Sequence, residues 1–186
     1  VWSRDGRWIA LHLGERAQDG SELPMIYMLS SSGGHPWKVP LQLRNNPGDY
    51  WDYNLSLSPD GSWLAYTTRE EGEDASQGSI YLAPTKGGPT RRLTQPITQQ
   101  PAFSPDGKKI AYVGRLKDPD RDPERPLGRQ IWIAPVDGGA HVLVYEVPRP
   151  GLLGGPVWSP DGATLAFLMS PMQPKDPDEH VVLIPL

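Results

Sequence analysis

Two acidic runs and four histidines are the side chains in this 186-residue sequence whose types and spacing could do chemistry. The runs Lys117-Asp118-Pro119-Asp120-Arg121-Asp122-Pro123-Glu124 and Lys175-Asp176-Pro177-Asp178-Glu179 share a Lys-Asp-Pro-Asp phrase. Carboxylates at alternate positions offer calcium the hard oxygen ligands it takes, which makes Asp118, Asp120 and Asp122 the calcium candidates. Against them, the glycine that bends a calcium loop is missing, prolines stiffen the run, and Arg121 and Arg125 neutralise it. A solvated charged loop is the preferred reading, and no metal is expected. His12, His35, His141 and His180 show no pair at metal-ligand spacing. His12 aligns with Thr67, Val113 and Leu168 on a strand, which suits a packed structural role. His180 stands beside Asp178 and Glu179, where an exposed ion pair is worth under about 1 kcal/mol.

No G-x-S-x-G nucleophile elbow, P-loop, dinucleotide fingerprint or H-E-x-x-H occurs. The carboxylates at fixed repeat positions, Asp5, Asp60, Asp106 and Asp161, recur four times over. An active site needs one of each group, so fourfold repetition reads as structure. The expectation for this chain is neither catalysis nor a cofactor.

Those aspartates mark the elements that must position everything else. Ser104-Pro105-Asp106-Gly107 recurs as Ser58-Pro59-Asp60-Gly61 and Ser159-Pro160-Asp161-Gly162, and as Ser3-Arg4-Asp5-Gly6 with arginine in place of proline. The aspartates are separated by 55, 46 and 55 residues, a period at which one supersecondary unit stacks on its neighbours. Proline presets φ for the second position of a type I turn, aspartate suits the third, and glycine takes the left-handed position that closes a three-residue hairpin loop with a bulge. After each turn, Ile9, Leu64, Ile110 and Leu165 point one way with Leu11, Tyr66, Tyr112 and Phe167. Ala10, Ala65, Ala111 and Ala166 point the other. This is the period-two alternation of a strand, and the recurrent alanine predicts a face closely approached by the next repeat.

Four strand-like pieces follow in each repeat. In the third they are 100–104, 109–114, 130–135 and 141–145, the last pair joined by Asp137-Gly138-Gly139. The second repeat has Lys86-Gly87-Gly88 and the first Ser32-Gly33-Gly34 at the same place. The fourth stops at 180–186, where the Gly-Gly turn should follow. The pattern predicts an all-β chain, a β-propeller or partial propeller of four-stranded antiparallel blades, the last lacking its outer strand. The repeats fall at about 1–50, 51–98, 99–150 and 151–186, one propeller domain or fragment.

Composition agrees. Each half of the chain carries 9 lysines and arginines against 11 aspartates and glutamates, so no basic patch invites nucleic acid or an anionic membrane. Glycine 20 and proline 22 fall at fixed points of the repeat, as in turn-rich β chains. Cysteine is absent, which excludes disulfides and thiolate chemistry. No apolar run approaches a membrane span. With valine first, the chain reads as processed or excised.

The phrase W-S-P-D-G-x-x-L-A-F, followed by I-Y-L-x-P-x-x-G-G-x-x-R-R-L-T, resembles the repeat of TolB-type β-propellers, a WD-repeat-like unit also seen in the N-terminal propellers of the prolyl oligopeptidase family. The resemblance covers essentially the whole chain. It implies a periplasmic or extracellular protein that scaffolds protein contacts. Alternatively, it implies the substrate-gating propeller of a prolyl-oligopeptidase-like serine peptidase whose catalytic domain lies outside these residues.

In such a blade the Asp-Gly and Gly-Gly turns share one rim. The other rim carries the long segments 14–23, 69–78, 115–129 and 170–179 and the connection 43–53. Loops on a rigid scaffold are where binding concentrates. Tyr50, Trp51 and Tyr53, with Arg44 and Arg149, are the expected partner-binding residues, since aromatics in a polar connection supply contact area with polar handles. A plug over the channel is the competing role for the three rings. The expected partner is another protein or domain, including a further copy or missing blades that complete the ring.

Overall fold

Each repeat reverses at its Asp-Gly turn, and the turn is built by side chains. Ser3, Ser58, Ser104 and Ser159 donate their hydroxyls to Asp5, Asp60, Asp106 and Asp161 Oδ1 over 2.5–2.6 Å. The same hydroxyls accept the backbone N–H five residues on, at 2.9 Å in all four. Gly6, Gly61, Gly107 and Gly162 take φ between 70° and 74°, the left-handed region that lets the chain reverse. The loop is four residues long rather than the expected three. Arg7, Ser62, Lys108 and Ala163 turn their N–H groups to the aspartate, so the ladder begins one residue later.

The computed structural model describes residues 1–16, 22–41, 54–68, 78–95, 98–115, 129–146, 151–171 and 180–186. All regular structure among them is β. The first blade has β1 (Trp8–Arg16), β2 (Glu22–Ser30) and β3 (Trp37–Lys38), with Trp2 bridging Ile9 on the inner side. The second has β4 (Leu55–Leu57), β5 (Trp63–Thr68), β6 (Ser79–Pro84) and β7 (Arg91–Arg92) in that order across the sheet. The third repeats this with β8 (Thr98–Phe103), β9 (Lys109–Arg115), β10 (Arg129–Pro135) and β11 (Val142–Glu146). In the fourth, β12 (Gly151–Leu153) and β13 (Val157–Trp158) both pair with β14 (Thr164–Pro171), which pairs with β15 (His180–Pro185). All these pairings are antiparallel. Gly154-Gly155-Pro156 splits the fourth inner strand in two, because proline has no N–H for the ladder.

Packing follows one rule. Ala10, Ile26 and Met28 of the first blade meet Leu64 and Tyr66 of the second. Ala65 and Leu82 of the second meet Ile110 of the third. Ala111, Val113 and Ile131 of the third meet Leu165 and Phe167 of the fourth. Each blade thus lays its alanine face on the large apolar face of the next, as the alternation predicts. The small Cβ lets the sheets approach, and the leucine, isoleucine and aromatic side chains opposite each gain about 1.5–3 kcal/mol of burial.

Polar bonds lock the stack. Trp37 Nε1 donates to the carbonyl of Thr85 at 2.9 Å, and Trp158 Nε1 to that of Ala102 at 3.0 Å. Phe103 N–H donates to Ser56 Oγ at 3.0 Å. These bonds fix the rotation of one blade on another, which apolar contact alone leaves loose.

Candidate functional site

The four Asp-Gly turns lie in a row along one rim because each leans on the turn or strand before it. A Cβ built on Gly61 would stand 2.3 Å from Trp8 Cδ1, and one on Gly107 3.1 Å from Pro59 Cδ. Asp5 N–H donates to the carbonyl of Pro59 at 3.1 Å. The hydroxyl of Ser3 above all, with the backbone N–H of Arg7, holds Asp5 down at about 2. The hydroxyls of Ser58, Ser104 and Ser159 lower Asp60, Asp106 and Asp161 in the same way. These carboxylates are hydrogen-bond acceptors inside turns, engaged with their own backbone.

The inner strands enclose a cradle of about 470 Å³, with residues from all four blades on its wall. Its lining is stiff and more apolar than polar, with Trp2, Pro59, Pro101, Pro105, Pro156 and Trp158 on it beside Ser3, Arg4, Ser56 and Ser104. Trp2 is 61% exposed. At the turn-row end a second hollow of about 300 Å³ joins Arg4 to Asp106, Lys109 and Asp161. Arg4 reaches across it to the carbonyl of Pro160 at 2.6 Å. The arrangement offers ring faces and proline edges to an extended chain, with mixed charge at one mouth.

One strained residue borders the cradle. Gln100 has φ 57°, the one non-glycine residue with positive φ among those described. It sits where β8 shifts register against β9 between Gln99 and Ala102, directly before Pro101. Its Oε1 is buried and finds no hydrogen-bond partner among the described residues. Strain of this kind costs about 1–3 kcal/mol and persists only where its surroundings impose it. Here the strain coincides with the β-bulge, and Gly155 leaves room for it, since a Cβ added there would come 3.3 Å from Gln100 Cβ.

The histidines stand apart. His12 is exposed, which corrects its expected packed role. His141 Nδ1 lies 2.8 Å from the Tyr112 hydroxyl, with the rings edge to face. Burial raises the Tyr112 phenol and pushes that of Tyr66 up to about 12, so neither exchanges a proton near neutrality. Among the described residues no three of histidine, aspartate and glutamate come together as a metal site.

Tyr50, Trp51, Tyr53, Arg44, Arg149, Asp118, Asp120 and Asp122 all lie outside the described residues. The cradle residues Trp2, Trp158 and Arg4 were not among the sequence candidates. Arg4 carried one signal: it alone replaces the proline of the turn.

Four stacked blades with inner strands around a cradle define the TolB-type β-propeller fold. TolB from Acinetobacter baumannii superposes with a TM-score of 0.65 at 20% identity, over 98% of this chain and 39% of that one. Pyrococcus horikoshii acylaminoacyl peptidase follows at 0.61 and 14%, over 95% and 29%. No family model matches the chain. By sequence it is similar to the Agrobacterium fabrum protein Atu1656, 27% identical over 167 residues, which are 89% of this chain and 48% of that protein. The Bacillus subtilis peptidase YuxL is 31% identical over 169 residues, 76% of this chain and 24% of that one. The chain therefore spans about half or less of the length of these curated relatives.

Proposed function

We propose that this chain is the non-catalytic recognition propeller of a prolyl-oligopeptidase-like serine peptidase, holding extended polypeptide in its inner-strand cradle. The observation that carries this is the cradle lining, where Trp2, Trp158 and four prolines present rigid apolar surface from all four blades. Prolines and indoles bind extended chains at low entropic cost, since few rotatable bonds are frozen. The likeness to a peptidase at 31% identity supports the reading. The nucleophile, its base and the acid that orients it then lie on another domain.

The test is fluorescence anisotropy with a fluorescein-labelled, proline-containing decapeptide titrated with the 186-residue chain. Binding weakened about tenfold by Trp2→Ala, a loss of about 1.4 kcal/mol, is expected. No binding at any soluble concentration overturns the reading.

A second reading, a periplasmic or extracellular scaffold for other proteins, is favoured by the superposition on TolB. In it the loop-rich rim, centred on Tyr50, Trp51 and Tyr53 with Arg44 and Arg149, makes the partner contact. Replacing the three aromatics with alanine separates the roles: lost stability with unchanged partner binding refutes the contact. The parent gene separates the two readings, since an α/β domain bearing G-x-S-x-G selects the peptidase.

A further inference from the structure

Five Asp-Gly pairs stand among the described residues, and four of them are the repeat turns. The fifth, Asp137-Gly138, joins β10 to β11. Its backbone repeats theirs. Gly138 N–H donates to the carbonyl of Pro135, three residues back, as Gly6, Gly61, Gly107 and Gly162 do to Ser3, Ser58, Ser104 and Ser159. In all five an aspartate precedes a left-handed glycine, with φ 95° at Gly138.

What differs is the first residue of the turn. In the repeat turns a serine hydroxyl and the backbone N–H two residues on both donate to the aspartate Oδ1. Pro135 has no hydroxyl to offer. Asp137 is exposed, and no hydrogen bond or ion pair reaches its carboxylate from any residue. The equivalent turns of the first two repeats carry Ser32 and Lys86 before the glycine, so the arrangement belongs to the third blade.

An unpinned aspartate before glycine is open to attack by its own chain. Glycine has no Cβ to shield its nitrogen, and nothing lies within 4 Å of where a Cβ on Gly138 would stand. Its N–H is also the most loosely held of the five, 3.2 Å from its acceptor against 2.9–3.0 Å. In the reaction Gly138 N bonds to Asp137 Cγ, and the hydroxyl of the protonated carboxyl leaves as water with the amide proton. Water then opens the cyclic imide. Addition at Cγ restores aspartate, whereas addition at the main-chain carbonyl carbon leaves the chain running through Cγ as isoaspartate. Water lost in the first step is regained in the second, so no other reactant is needed. In the repeat turns two donors hold the carboxylate in place and in its charged form, which withholds the protonated carboxyl that the first step consumes.

We propose that Asp137 is a site of covalent modification, where the folded chain converts aspartate to isoaspartate, and that the serines of the four repeat turns protect their own aspartates from the same reaction. The added methylene enters the main chain of the hairpin between β10 and β11. The inference is independent of what the cradle binds.

The test warms the 186-residue chain at neutral pH, below its melting temperature, beside the same chain in guanidinium chloride. Peptide mass spectrometry with electron-based fragmentation follows isoaspartate at each pair. In the folded chain Asp137 is expected to convert about tenfold or more faster than Asp5, Asp60, Asp106 and Asp161, since releasing each of those breaks two hydrogen bonds. In denaturant the five should convert at similar rates. Folded-state rates in the same ratios as those in denaturant overturn the proposal. Pro135→Ser supplies the missing hydroxyl and is expected to slow Asp137 to the rate of the repeat turns with circular dichroism unchanged; an unchanged rate at Asp137 overturns the proposal. Ser104→Ala is the converse: Asp106 should quicken while Asp60 stays as it was, and no change at Asp106 overturns the protective role of the serine.

Discussion

Arg4 donates through Nη2 to the carbonyl oxygen of Pro160 at 2.6 Å, joining the first and fourth turns, 156 positions apart in the chain. The other three repeats place Pro59, Pro105 and Pro160 where Arg4 stands. The one departure from the turn phrase is therefore the residue that ties the row across its open side. Proline at that position would keep the turn, since φ there is near −60° in a type I turn, and would remove the tether.

Because the bond is exposed, Arg4→Ala is expected to cost under about 1 kcal/mol. Urea unfolding monitored by tryptophan fluorescence measures it. A loss above about 2 kcal/mol would show that the tether supports the whole stack rather than its mouth.

Ser104 is buried, and its hydroxyl both donates to Asp106 and accepts from the Lys109 N–H. Ser104→Ala leaves the part-buried Lys109 N–H without its acceptor and is expected to cost about 1–2 kcal/mol. Ser159→Ala, in the exposed fourth turn, should cost less. Equal losses in denaturant titrations of the two variants would contradict this account of the turn.

Stability should fall in acid. Asp5 is held at about 2, and Asp60, Asp106 and Asp161 are lowered, in each case chiefly by the serine hydroxyl. In the unfolded chain an aspartate titrates near ~3.9, so the native state binds fewer protons over this range. The contribution is complete above about pH 5 and is lost as the pH falls toward about 2. Melting temperatures from pH 7 to pH 2 measure the loss, and Ser104→Ala should flatten the acid limb. A profile with no acid limb would sever the carboxylates from stability.

Gly6 and Gly61 share nearly the same backbone, with φ 70° and 73°, but not the same surroundings. Nothing lies within 4 Å of a Cβ on Gly6, whereas one on Gly61 meets the Trp8 ring. Gly6→Ala is expected to cost about 1–2 kcal/mol for the left-handed backbone alone. Gly61→Ala should cost a further ~1–3 kcal/mol, because the ring must leave its place between blades. Comparable midpoints for the two variants would mean that Trp8 yields freely.

The alanine faces differ in the same manner. Ala111 is fully buried between the third and fourth blades, while Ala166 lies on the open face. Ala111→Leu is expected to lose about 1–3 kcal/mol by forcing two sheets apart. Ala166→Leu should stay within about 0.5 kcal/mol, as thermal unfolding of the pair will report.

Much of this architecture is legible in short stretches of chain. The phrase around Asp106 specifies its turn with atoms no more than five residues apart, and Ile110-Ala111-Tyr112 states which side of a strand meets which neighbour. The serine was legible too, since Ser3, Ser58, Ser104 and Ser159 recur with their aspartates. The split before Val157 was written in Gly154-Gly155-Pro156. The exposure of His12 was not, since burial at that position depends on how another repeat settles beside β1.

Unaided, the order of residues determined the strands, their turns and the alternation of small and large faces. Each of these is settled by backbone sterics and by hydrogen bonds between near neighbours. Tertiary structure alone decided the curvature that brings Arg4 to Pro160, the cradle shared by Trp2 and Trp158, and the left-handed Gln100 beside Gly155. Those relationships join residues 55 to 156 positions apart, and they arise from the angle at which each sheet settles on the next.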